Sequence, residues 1–367
     1  MDKVKGPHPQ VTILQMFMLP VLSTMITLLA IELVLLALFN MDILKFELSN
    51  QTSRAEGLYR YDPDLGWTLR PFYNEIYQWD HGYTIERINA EGWRDYSYAL
   101  KKPKDVYRIA VLGCSRTYGY GVNMEESYPK ELERLLNERL QQRVEVMNFG
   151  VNGYGLSQMT LNYSKNVRNY EPDLVILQLY APSILRTKYT RLWKANKPTY
   201  DMIDGKLTLI NHPVPENKTG PVRAYFLGTS PLFRFVNELF LKIDNNKITA
   251  DSETLPSNKP LHSLSTAILK TLNDAVQKDG KKLIVFIWGK NNEWLKQIVE
   301  NAGVEVFALE DHEDIEKWRQ KGELENLPPT GHWSVLGNQY VAEAIFQYLT
   351  VRSKGDRAMA LSPFTLL

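Results

Sequence analysis

Residues 107–122 read YRIAVLGCSRTYGYGV. The first six, Tyr107-Arg-Ile-Ala-Val-Leu, are mostly β-formers. The run breaks at Gly113-Cys114-Ser115 into a turn rich in glycine and tyrosine. An amphipathic helical pattern follows over 127–142, with Leu132, Leu135, Leu136 and Leu140 on one face. A strand, a small-residue turn and a helix are the opening unit of a parallel α/β sheet. Ligands bind such sheets at the carboxyl ends of the strands. Ser115 is therefore either an ordinary turn residue or a nucleophile presented at that edge.

The same rhythm continues outward. A strand is expected over 144–149, a helix over 156–170 and a buried strand over 173–180 (DLVILQLY), whose apolar run suits a strand covered on both faces. Residues 181–260 break the pattern with Pro, Asn and Gly and one short amphipathic piece, 231–243. They are expected to be an insertion forming a cap or a partner surface. Helix 261–278, strand 282–288, helix 292–301, strand 304–309 and helix 335–349 resume the alternation. Five strands interleaved with helices predict a three-layer α/β/α parallel sheet over 106–350, with 351–367 as a tail. Residues 57–105 are rich in aromatics and turn formers. Alternation in Tyr83-Thr-Ile-Glu-Arg-Ile and the turn Asn89-Ala-Glu-Gly predict a small β-rich lead-in.

From Gly6 to Met41 the only charged residue is Glu32. Such a stretch exceeds the roughly 20 residues that cross a bilayer and predicts one transmembrane anchor over 11–41. Lys3 and Lys5 precede it, which favours a cytoplasmic tail at 1–10. A stalk at 42–56 then leads to a globular part outside the cytoplasm, in the periplasm of a Gram-negative source. Glu32 either sits at the interface or, if the helix is shifted, faces a partner within the bilayer. The second case predicts an integral membrane protein partner held through the anchor.

The formal charge of +1 over 367 residues gives no electrostatic case for nucleic acid. The single cysteine, Cys114, excludes an internal disulfide and a Cys-cluster zinc site. It reads as a small buried side chain, with nothing in the sequence to lower its pKa, or else as a reactive thiol beside the turn. There is no Gly-x-Ser-x-Gly elbow, HExxH or phosphate-cradling loop, so no cofactor and no metal are expected. Sequons at Asn50, Asn162 and Asn217 matter only in a secreted eukaryotic protein.

Two further blocks carry chemistry. MNFGVNGYG, 147–155, follows the second strand, and its glycines allow a backbone N–H to face an oxyanion. PPTGHWSVLGNQYVAEAI, 328–345, places His332 in a loop before the last helix, where it can return a general base to the same sheet edge.

In order and spacing, YRIAVLGCSRTYGYGV, VMNFGVNGYGLSQ, PDLVILQLY and GHWSVLGNQYVAEAI resemble the blocks of the SGNH/GDSL hydrolases. The resemblance is greatest to membrane-anchored bacterial members, including extracytoplasmic proteins that acetylate or deacetylate cell-surface polysaccharides, and it extends into the lead-in. It implies a flavodoxin-like SGNH fold, Ser115 as nucleophile, His332 as base, and an oxyanion hole from the N–H groups of Gly153 and Ser115. Three positions depart from the family pattern. Cys114 replaces the Asp of Gly-Asp-Ser. The stretch Gln178-Leu-Tyr-Ala-Pro-Ser lacks the oxyanion Asn. Thr330 and Pro329 occupy the positions of the Asp that precedes the family histidine. Losing an oxyanion donor costs ~10²–10³ in turnover, and losing the acid costs roughly 10⁴. Two readings follow. One is an esterase or O-acyltransferase acting on acyl esters of envelope glycan or lipid. The other is a catalytically degenerate subunit that keeps the fold and scaffolds a larger membrane complex.

Overall fold

The apolar runs form a five-stranded parallel sheet in the computed structural model. The structure describes residues 13–41, 57–79, 82–140, 142–193, 195–216, 225–226, 229–237, 239–240, 251, 253–289, 292–320, 327 and 331–355. The sheet strands are β1 (Val106–Gly113), β2 (Arg143–Gly150), β3 (Leu174–Leu179), β4 (Lys282–Ile287) and β5 (Glu305–Ala308). Their order across the sheet is 2-1-3-4-5, all parallel, which is the flavodoxin-like arrangement.

Successive strand residues point to opposite faces, and two cores result. One gathers Ala110, Leu112, Met147, Phe149, Val175 and Leu177 with Met159, Leu269 and Leu295, which lie on helices Leu156–Lys165, Lys259–Lys278 and Glu293–Asn301. The other gathers Ile109, Val111, Val146, Ile176 and Phe286 with Leu132, Leu136, Val341 and Ile345, from helices Tyr128–Arg139 and Val335–Gly355. The architecture is thus three-layered. The first helix expected over 156–170 splits into an α-helix ending at Lys165 and a 3₁₀ turn Val167–Tyr170. The last helix runs to Gly355, five residues into the expected tail.

The lead-in is β-rich, with hairpins Tyr59–Asp62/Gly66–Leu69 and Asn74–Trp79/Gly82–Arg87. Leu65, Trp67, Leu69 and Trp93 join the first core. The alternation at 83–88 has the expected period: Tyr83 and Ile85 are exposed, and Thr84 and Glu86 are buried. Glu86 points inward because it is the counter-ion of the fully buried Arg94, with Oε2 2.8 Å from Arg94 Nε.

The expected insertion is not one body. Residues 191–210 make two small hairpins, Arg191–Leu192/Ala195–Asn196 and Thr199–Ile203/Lys206–Ile210. These belong to the same compact unit as the sheet, whereas the described residues of 225–240 fall in a separate unit with the amino-terminal helix. In that unit, helix Ile13–Asn40 contains a 22-residue apolar stretch, Phe17–Leu38, long enough to cross a membrane.

Candidate active site

The chain order reverses between β1 and β3, which lie side by side, and a crevice opens at the carboxyl end of such a pair. Ser115 leaves β1 there and begins a single helical turn, Ser115–Tyr118, closed by Gly119 in the left-handed region with φ 81°. This turn presses directly on the sheet end. Gly113 and Gly150 are register partners on β1 and β2. A Cβ on Gly113 would lie 1.9 Å from Thr117 Oγ1, and one on Gly150 2.3 Å from the Tyr118 nitrogen. Only glycine allows that approach. Two buried groups hold the turn from behind. Asn148 Nδ2 donates to Thr117 O at 2.8 Å. Arg94 donates to the carbonyls of Tyr118 and Gly119 at 3.1 Å and of Val122 at 2.7 Å.

His332 reaches the same edge from the loop before the last helix. Its Nε2 lies 2.8 Å from Ser115 Oγ, the distance of a hydrogen bond. Arg116 fastens this loop: its guanidinium donates to Gly331 O at 2.7 Å and lies 3.9 Å from the centre of the Trp288 ring. Asn338 anchors the other side, accepting from the Tyr128 N–H at 3.0 Å and donating to Ser334 O at 2.9 Å. The ring of Tyr120 packs on His332 with centroids 4.5 Å apart. Tyr118 and Tyr154 are fully buried and hydrogen-bond to Glu86 and to Trp67 O, so they are core.

Arg116→Met is expected to destabilise the protein by about 2 kcal/mol, from one charged hydrogen bond and a desolvated cation–π contact. On the acyl-transfer reading proposed below, it is also expected to lower kcat by roughly 10²-fold, the cost of misplacing a reacting group by about 1 Å. Thermal unfolding and turnover of an activated ester measured together check this. Lost stability with unchanged kcat would show that Arg116 does not position His332.

Gly153 lies in the turn after β2 with φ 79°. This turn is tied to the Ser115 loop by the Val151 N–H on Gly113 O at 3.3 Å. Its outer side is covered by an indole, since a Cβ on Gly153 would meet Trp193 at 2.4 Å. Trp193 is half exposed and sits at φ 49°, a costly conformation for a bulky residue. The loop that carries it is stapled by the fully buried Lys197, whose Nζ donates to the carbonyls of Arg186, Tyr189 and Pro198 at 2.9, 2.8 and 3.3 Å. Burial, with Arg186 nearby, pushes the Lys197 ammonium down to about 7.

Cys114 corrects one expectation. It is fully buried, but its surroundings are not inert. Burial alone would raise the thiol; the Arg186 guanidinium, helped by Arg116, more than offsets it and holds the thiol below its ordinary value. The sequence hid this because Arg186 lies some seventy positions away, on the far side of β3. The same guanidinium donates to Tyr180 OH at 3.1 Å and to Tyr154 O at 3.2 Å. Gln178, in the block lacking the family Asn, is fully buried, with Oε1 3.7 Å from Cys114 Sγ. Thr330, expected at the position of the family Asp, lies outside the described residues.

No protein-family profile matches the chain, and no curated protein matches it. Solved structures with a similar course of the chain include three esterase-type proteins. A lipase/acylhydrolase from Enterococcus faecalis is 12% identical, with 67% of this chain and 96% of that one covered and a TM-score of 0.38. A psychrotrophic esterase from Pseudoalteromonas sp. is 13% identical, with 68% and 98% covered and a TM-score of 0.38. An acetyl xylan esterase is 13% identical, with 66% and 99% covered and a TM-score of 0.36. At these values they say nothing of what this chain does.

Proposed function

We propose that this chain is a membrane-anchored, extracytoplasmic serine esterase or O-acyltransferase, acting on acyl esters of envelope glycan or lipid. The observation that carries the reading is the 2.8 Å contact between Ser115 Oγ and His332 Nε2 at the carboxyl edge of a parallel sheet. A nucleophile within reach of a base at a ligand-binding edge is the minimal acyl-transfer site. The Ser115 hydroxyl oxygen attacks the ester carbonyl while His332 takes its proton. The backbone N–H groups of Ser115 and Gly153 receive the oxyanion. Collapse expels the alcohol, which takes the proton from His332 and leaves an acyl-serine. Water or an acceptor hydroxyl then attacks the acyl-serine by the same route, giving hydrolysis or transfer. Trp193 over Gly153 offers an apolar wall for the acyl group or a ring face for a sugar.

The full chain in detergent is incubated with a fluorophosphonate probe, beside Ser115→Ala. Labelling of the wild type that vanishes in the variant is the expected result. A folded wild type that takes no label would overturn the reading. The protein would then be a catalytically degenerate subunit of a membrane complex, as the departures at Cys114, at Gln178–Ser183 and near Thr330 would allow.

A further inference from the structure

Glu32 lies six residues before the end of the apolar stretch Phe17–Leu38, about 9 Å along the helix axis from that end at 1.5 Å per residue. A carboxyl group so placed needs a hydrogen-bonding partner. Its partner is this chain. Ser230 Oγ donates to Glu32 Oε2 at 3.1 Å, and the backbone N–H of Leu232 donates to the same oxygen at 2.8 Å. Ser230 Oγ in turn accepts from the Phe233 N–H at 3.0 Å. Residues 231–237 and 239–240 are helical. The N–H groups of a first helical turn have no partner within the helix and ordinarily take one from water or a capping side chain. In hydrocarbon there is no water to supply one. Glu32 and Ser230 supply it here, so the turn is hydrogen-bonded in a manner compatible with immersion in lipid.

A second observation concerns what this segment displays. Phe235, Val236, Leu239 and Phe240 are 45, 39, 50 and 64% exposed, and Tyr225 and Phe226 are 66 and 44% exposed. Positions 235, 236, 239 and 240 fall on one helical face. Phe226 also packs on Phe233, with centroids 5.8 Å apart. On the long helix, Glu32, Leu35 and Leu38 are half-buried on one face, while Leu33, Val34 and Leu36 remain exposed beside them. The segment thus carries its exposed apolar side chains on a piece hydrogen-bonded to the long helix at Glu32.

We infer that the described residues 225–226, 229–237 and 239–240 are a second membrane element of this chain. They lie in the boundary between headgroups and acyl chains at the carboxyl-terminal end of the long helix, latched to it through Glu32, with the exposed aromatic and aliphatic side chains in lipid. The occupant of the apolar face is lipid because the segment is held by hydrogen bonds to a helix whose own apolar side chains are exposed along a membrane-crossing length, and because it is rich in the aromatics that populate membrane interfaces. The inference rests on the long helix spanning the membrane. It assigns Glu32 an internal role as acceptor for the latched segment.

The test uses the full chain in nanodiscs of phosphatidylcholine and phosphatidylglycerol. Spin labels are placed through Phe235→Cys and Leu239→Cys, with Leu22→Cys in the long helix and Met202→Cys in the exposed hairpin as references. Collision with oxygen and with a water-soluble nickel chelate is measured at each site. Labels at 235 and 239 are expected to behave as at 22, with loss of access to the chelate and retained access to oxygen. Position 202 is expected to meet the chelate. Glu32→Leu is expected to return 235 and 239 to the chelate while leaving 22 protected. Chelate access at 22 itself would defeat the spanning helix, and the inference with it. Protection at 22 with access at 235 and 239 would overturn the inference alone. Shielding of 235 and 239 from both reagents would mean that protein covers the face, and would also overturn it. Unchanged access in Glu32→Leu would overturn the latch.

Discussion

Ser115→Ala and His332→Ala are expected to lower kcat for p-nitrophenyl acetate by the same factor, and the double variant by no more than either alone. Residues that act as one unit lose their whole contribution when any member is removed, so their effects do not multiply. The size of the fall carries separate information. A base oriented and charge-balanced by a carboxylate would give a drop of ~10⁶-fold, whereas a serine–histidine pair without that support starts roughly 10⁴ lower and has only ~10² to lose. Equality of the two single variants is the test; effects that multiply in the double variant would sink the pair as a catalytic unit. Neither change should unfold the protein. The Ser115 hydroxyl is worth about 1 kcal/mol as a hydrogen bond, or about 2–4 °C in a domain of this size. A larger loss of stability would make the kinetic result uninterpretable as chemistry, and thermal unfolding is therefore recorded on the same samples.

The architecture was legible where the physics is local. A strand covered on both faces must be almost continuously apolar, and β3 reads as such; an amphipathic helix must repeat at 3.6 residues, and Tyr128–Arg139 does. That Ser115 and His332 end at one edge followed from the alternation, because each stands just past or just before an element whose direction the parallel sheet fixes. The residues that hold them there were not legible. Arg94 in Gly-Trp-Arg-Asp-Tyr looks like a loop arginine, and nothing local says that it is fully buried beneath the Ser115 turn. Arg116 and Trp193 act across distances of 215 and about 40 positions, on Gly331 and Gly153. Glu86 reads as the polar member of an alternating strand until its counter-ion is known. The division of the insertion between two units was not legible for a related reason. Its first part is bound by Lys197, whose three carbonyl partners come from turns with no sequence pattern, and its later part contains the residues that meet Glu32.

Arg94→Met is expected to destabilise the protein by about 3–5 kcal/mol, the cost of stranding a buried charge. The residue is fully buried, and its guanidinium faces Glu86, itself 2% exposed, on one side and three carbonyls of the Ser115 loop on the other. Removing it leaves the Glu86 carboxylate with Thr84 Oγ1 at 3.0 Å and the Tyr118 hydroxyl as donors, and takes one donor from each loop carbonyl, of which Gly119 O keeps the Val122 N–H at 3.3 Å. Against a total stability of about 5–15 kcal/mol, that is a shift in unfolding temperature of roughly 10 °C. The partner variant separates the two costs. Glu86→Gln in the Arg94→Met background removes the stranded charge but returns no donor to the loop carbonyls. It is expected to recover part of the stability while fluorophosphonate labelling of Ser115 stays slow, because the turn from Tyr118 to Val122 still lacks its clamp. If the double variant were no more stable than Arg94→Met, the buried charge would not be the dominant cost. If labelling returned with stability, Arg94 would serve the core alone, and the Ser115 turn would owe its geometry to Asn148 and to the glycines that seat it on the sheet.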